Sequence, residues 1–144
     1  MSVIFQILPL IKYPLLKPIY KAYYPLAKVK KNERVVVGYQ QQTIIAIVRF
    51  RPIEQYTLLT GMLVVPDHRQ QGIGQQLLSY CATEELNSNC YCFAYQHLET
   101  FYQQGGFHAI ESEQLPSSLR QLFLRYITNG KKLLPMQYKS VDMA

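Results

Sequence analysis

The sequence predicts an α/β (α+β) domain in which a sheet and helices are layered, and three observations carry that prediction. Strand-like and helix-like signals alternate from one end to the other, and no Gly/Ser-rich or Pro-rich tract divides them. At 144 residues the chain is long enough to bury one core without disulfide or metal staples, so one domain over residues 1–144 is expected.

Each element has its own signal. Residues 3–8 are an apolar run that reads as an opening strand. In residues 15–24, Leu16, Ile19, Tyr20 and Tyr23 recur at helical spacing, with Pro14, Pro18 and Pro25 bounding or distorting the helix. Residues 34–39 and 44–50 are β-branched runs separated by Gln41, Gln42 and Thr43, a hairpin length that predicts an antiparallel pair. Residues 57–65 continue the meander, and Gly61 in their middle predicts a bulge or a close approach by ligand.

After Gly72, Ile73, Leu77, Leu78, Cys81, Ala82 and Leu86 form the apolar stripe of a helix lying on the sheet. A strand follows at residues 90–95, then a short helix at 98–104 ended by Gly105 and Gly106, and another strand at 107–110. Leu119, Leu122, Phe123, Tyr126 and Ile127 define a helix over residues 116–127, with Pro116 in its first turn and Gly130 at its exit. A closing strand at 133–139 completes about seven strands and about four helices.

Composition narrows the function classes. The first sixteen residues are apolar, but Pro9, Lys12 and Pro14 interrupt them and no basic leader or cleavage signature accompanies them, so neither a signal nor a membrane partner is expected. Cys81, Cys90 and Cys92 lack metal-finger spacing and read as free thiols of a reducing, cytoplasmic compartment; no metal is expected. The net charge of +6 is partly concentrated in Lys28, Lys30, Lys31 and Arg34. That run reads as a solvated basic loop ahead of a strand, with nucleic-acid binding the lesser reading. A monomer or homodimer is expected.

Residues 63–75, LVVPDHRQQGIGQ, run from a strand through a turn into a helix. Gly72 and Gly74 lack Cβ, so N–H groups at the helix start can approach a pyrophosphate that the helix dipole favours, while Arg69 either adds a cation or fixes the turn. A dinucleotide-binding turn would want glycine where Leu77 stands, and no Walker lysine is present.

This segment resembles the GNAT superfamily of acyl-CoA-dependent N-acyltransferases, whose signature Q/R-x-x-G-x-G/A is matched in register by Arg69, Gly72 and Gly74. Downstream, Phe101, Tyr102, Gly106 and Phe107 match the family's F-Y-x-x-x-G-F segment. The likeness is strongest over residues 57–110. It implies a GNAT-like domain with a mixed, mostly antiparallel, splayed sheet, and acetyl-CoA as diffusible cosubstrate.

By the same resemblance, the backbone of Met62, Leu63 and Val64 would pair with the pantetheine arm like an added strand. Arg69, Gln70, Gln71, Gly72, Ile73, Gly74 and Gln75 would hold the pyrophosphate. Tyr102 would protonate the departing thiolate, and the N–H of Leu63 or Val64 would stabilise the oxyanion. The implied reaction is direct attack by a primary amine, either a small molecule or a protein N-terminus or lysine. The alternative is a non-catalytic acyl-CoA sensor or interaction module.

Two departures bear on that reading. The strand glutamate that serves many relatives as general base is absent from residues 57–65 and 90–95, leaving Glu54, His68, His97, Glu99 or an ordered water. Tyr95 stands where some relatives carry a cofactor-contacting asparagine, which points to a more aromatic acceptor pocket. Cys90 and Cys92 are near enough in sequence to raise covalent thiol catalysis, but core packing is the better reading.

Overall fold

A computed structural model describes residues 2–25 and 27–139. In chain order the elements are β1 (Ile4–Ile7), α1 (Leu16–Tyr23), β2 (Arg34–Gln40), β3 (Thr43–Ile53), β4 (Tyr56–Val64), α2 (Ile73–Glu84), β5 (Cys90–Tyr95), α3 (Glu99–Gln104), β6 (Phe107–Ala109), α4 (Ser117–Thr128) and β7 (Leu133–Tyr138). The seven strands form one sheet in the order β1-β2-β3-β4-β5-β7-β6. Only the β4–β5 pairing is parallel.

Local chemistry accounts for most boundaries. Gln41 and Gln42 take positive φ of 54° and 71°, so the β2–β3 hairpin closes on two residues and Thr43 is already in the strand. Pro18 falls in the first turn of α1, where its missing N–H costs nothing, and Pro25 follows the helix end. Pro116 is the residue just before α4, not inside its first turn as expected.

Strands buried on both faces place alternate residues in different cores. Val36, Leu59, Cys90, Cys92 and Ala94 pack with Ile73, Leu77, Leu78 and Cys81 beneath α2. Val35, Val37, Ile47 and Leu63 pack with Leu16 and Tyr20 of α1, and Leu58 and Tyr91 with Leu119, Leu122 and Phe123 of α4. Thus α2 and α3 cover one side, and α1 and α4 the other.

Sequence order and spatial order diverge at the end of the chain. The strand at residues 133–139, expected to close the sheet, inserts as β7 between β5 and β6, antiparallel to both. The β5–α3–β6 crossover therefore skips one position. Among the described residues, no helix is long and apolar enough to cross a membrane.

Candidate active site

The sheet opens between β4 and β5, and the cause is visible in the register. On the β3 side, Ile47 faces Leu63 and Arg49 faces Thr60, so Gly61 and Met62 together oppose Val48. That is the bulge expected at Gly61, which takes φ +65°. A side chain there would also collide, since a Cβ would lie 2.5 Å from Arg49 Nε and 2.8 Å from Tyr20 Oη. On the other side, β4 pairs with β5 only from Thr57↔Cys90 to Leu59↔Cys92, and beyond Leu59 the two strands part.

The register also sorts the backbone groups of β4. Val65 N–H donates to the Ile45 carbonyl at 2.8 Å, making that a hydrogen-bonded pair. By antiparallel alternation the backbone groups of Leu63 turn toward β3, whereas those of Met62 and Val64 turn toward the opening. Arg69 Nε donates to the Val64 carbonyl at 2.9 Å, so this arginine ties the turn to the strand.

At the mouth of the opening, Gly72 precedes α2 in the left-handed region, φ 78° and ψ 8°, and Gln70 has φ 63°. The first helical N–H with a main-chain partner is that of Gln76, on the Gly72 carbonyl, so those of Ile73, Gly74 and Gln75 are without helical partners. No side chain caps this end and no acidic residue stands in its first turn. A Cβ on Gly72 would meet open space, whereas one on Gly74 would lie 3.0 Å from the Phe101 ring. Gln75 Nε2 donates to Gln104 Oε1 at 2.8 Å and to the Phe101 carbonyl at 3.3 Å, fastening α2 to α3. Gln71 is exposed and Ile73 is core.

The two glycines are therefore expected to respond differently to substitution. Gly74→Val should lower the melting temperature of the ligand-free protein by overpacking against Phe101, at a cost of about 1–3 kcal/mol. Gly72→Ala should instead cost about 1–2 kcal/mol through its left-handed backbone conformation, with no clash. Melting curves of Gly74→Val, Gly74→Ala, Gly72→Val and Gly72→Ala separate the two: side-chain size should matter at position 74 and not at position 72, and the same size dependence at both would remove the distinction.

A cavity of about 600 Å³ passes through the gap, lined by Met62 and Gly61 of β4, Cys92 and Ala94 of β5, and Tyr102 of α3. From the α1/α4 side it is lined by Tyr20, Arg49, Arg51, Phe93, Tyr126 and Lys131, and Tyr24 and Tyr95 add to its aromatic walls. Tyr102 is buried, packed edge-on against Phe101 and Phe107. Its hydroxyl has no hydrogen-bond partner among the described residues. Burial, and secondarily Cys92 nearby, hold the phenol well above its ordinary value, so it stays protonated at neutral pH.

The chief feature not anticipated from the sequence is a buried ion pair in the cavity wall. Arg49 Nη1 donates to both carboxylate oxygens of Glu33, at 2.9 and 3.1 Å, and to the Lys28 carbonyl at 3.0 Å. The guanidinium lies 5.1 Å from the Tyr20 ring centroid, and Tyr20 Oη donates to the Gly61 carbonyl at 2.8 Å, so α1, β3 and the bulge form one assembly. Charges at positions 49 and 51 within an otherwise apolar strand were the available signal.

None of the four side chains considered as a base lines this cavity. Glu54 is exposed in the β3–β4 turn, His68 follows β4, His97 is exposed and stacked on Tyr95, and Glu99 accepts a hydrogen bond from Gln103. Burial pushes the thiols of Cys81 and Cys90 up to about 12 and raises that of Cys92 as well. These thiols stay protonated, which speaks against covalent thiol catalysis. Among the described residues, no group of three His, Cys, Asp or Glu side chains is placed to hold a metal.

Comparison with known proteins agrees with this architecture. Residues 31–109 match the family described as "Acetyltransferase (GNAT) domain", more than half of the chain, and the protein belongs to that family of N-acetyltransferases, for which acetyl-CoA is the cosubstrate. No curated protein gives a match. Escherichia coli ElaA is similar at 17% identity and TM-score 0.70, over 96% of this chain and 100% of that one. PaiA N-acetyltransferase from Thermoplasma acidophilum, in complex with coenzyme A, is similar at 13% identity and TM-score 0.61, over 97% and 100%. N-acetylglutamate synthase from Neisseria gonorrhoeae, complexed with coenzyme A and N-acetyl-glutamate, is similar at 12% identity and TM-score 0.75. There the match covers 97% of this chain but only 36% of the synthase.

Proposed function

We propose that the chain works as one N-acetyltransferase domain that moves an acetyl group from acetyl-CoA to a primary amine by direct attack, with Tyr102 as general acid. The observation that carries this reading is a cavity through the β4/β5 opening, which joins the unpaired edge of β4 to Tyr102. Acetyl-CoA would supply the acetyl group as an activated thioester.

The residues present suit that cosubstrate. Met62 and Val64 offer main-chain groups to the amides of a pantetheine arm, and Leu63 holds the strand to β3. The uncapped start of α2 provides N–H groups and a positive dipole end for a pyrophosphate, and the open space over Gly72 leaves room for it. Arg69 acts by fixing the turn to Val64. Tyr102 gives its Oη proton to the departing sulfur, and the proton released by the amine as its nitrogen is acylated restores the phenol. The phenol's raised pKa suits this role, since an unprotonated phenol would have nothing to donate.

The cofactor reading is tested by melting temperature with saturating acetyl-CoA, ATP or NAD. A ligand at about a hundred times its dissociation constant adds roughly 2.7 kcal/mol, which should raise the melting point by about 5–10 °C. A rise with acetyl-CoA alone, followed by CoA release with an amine panel, is the expected result. Equal shifts with all three, or none, would defeat the proposal, and binding without turnover would favour the non-catalytic module.

A further inference from the structure

We propose that the acceptor is a small amine that also bears a carboxylate, and that Arg51 grips that carboxylate. The inference rests on the acetyl-transfer reading above and adds its substrate class. Among the described residues, the acceptor side of the cavity is lined by Lys28, Lys30, Arg49, Arg51 and Lys131, against one carboxylate, that of Glu33. That carboxylate is already engaged by Arg49 Nη1 and by the Lys30 N–H at 2.7 Å.

Arg51 differs from Arg49 in having no hydrogen-bond or ion-pair partner among the described residues. It lies two residues further along the same face of β3, half-buried. A guanidinium on a rigid strand presents paired donors in the geometry that a carboxylate accepts. On the opposite wall, Lys131 Nζ is held 4.8 Å from the Tyr126 ring centroid, adding a second positive charge.

An amine without an acid would bring its ammonium into a field of like charge. A carboxylate offsets that field, and the same field favours the neutral amine, the form that attacks. The lining thus accounts for an acceptor site in which the one carboxylate is occupied elsewhere. A cavity of about 600 Å³ is of the size that holds small molecules.

The test compares a panel of amino acids with their primary amides as acceptors, by CoA release and by melting-temperature shift in the presence of CoA, for the native protein, Arg51→Gln and Arg51→Lys. Acids should exceed amides at least about tenfold in kcat/KM and alone should shift the melting point. Arg51→Gln should raise KM for the acids about 10- to 100-fold with a smaller change in kcat, and Arg51→Lys should recover part of the loss. Amides used as well as acids, no acid bound or used, or an unchanged acid KM in Arg51→Gln would overturn the assignment. If acetyl-CoA still stabilises the protein and amides are acetylated, the acetyl-transfer reading survives that outcome. If acetyl-CoA neither binds nor turns over with either panel, both fall.

Discussion

Tyr102→Phe is expected to lower kcat by roughly ten- to a thousandfold while leaving acetyl-CoA binding intact, the range for losing a positioned acid. The substitution is a clean probe because the hydroxyl has no partner among the described residues, so its removal strands nothing. The ring should keep its edge-on contacts with Phe101 and Phe107, and the melting temperature should barely move. Steady-state kinetics alongside the acetyl-CoA melting shift makes the measurement. Native kcat in the variant would take Tyr102 out of the mechanism, and a large loss of stability would mean that the hydroxyl is structural.

The second large effect is on stability. Among the described residues, Glu33→Ala leaves Arg49 buried with the Lys28 carbonyl and the Tyr20 side chain as its neighbours, and its Nε without a hydrogen-bond partner. Breaking a buried pair from one side costs about 3–5 kcal/mol, which for a chain of this size corresponds to a fall in melting temperature of roughly 10–20 °C. Replacing both partners, as in Glu33→Ala with Arg49→Met, should cost clearly less than the sum of the single changes. Additive losses would show that the two charges do not depend on each other. Because Tyr20 and Gly61 belong to the same assembly, the single variants should also loosen the bulge that opens β4 from β5.

Features written in neighbouring residues were legible from the sequence. The β2–β3 hairpin follows from spacing, although Thr43, read as part of its loop, belongs to the strand; the bulge follows from a lone glycine in a strand, and the start of α2 from Gly72 and an apolar stripe. The resemblance to a family rested on the same kind of local pattern, in residues 69–74 and 101–107. Periodicity also put Cys90 and Cys92 on one face, where they lie beneath α2.

Partnerships across the fold were not legible in that way. Glu33 and Arg49 are 16 positions apart, and Tyr20 and Gly61 are 41 apart, with no local spacing to announce either meeting. Gly74 resembles its neighbour Gly72 as a phosphate-turn glycine, yet its missing Cβ makes room for a ring 27 residues away. By itself the sequence determined the elements, the bulge and the family, because backbone preference and hydrophobic period act over a few residues. Only the tertiary structure decided that β7 enters between β5 and β6, that Leu63 turns to β3 while Met62 and Val64 face the opening, and that a cationic wall stands opposite Tyr102. Those outcomes depend on which distant surfaces bury each other, a choice made by packing over the whole chain.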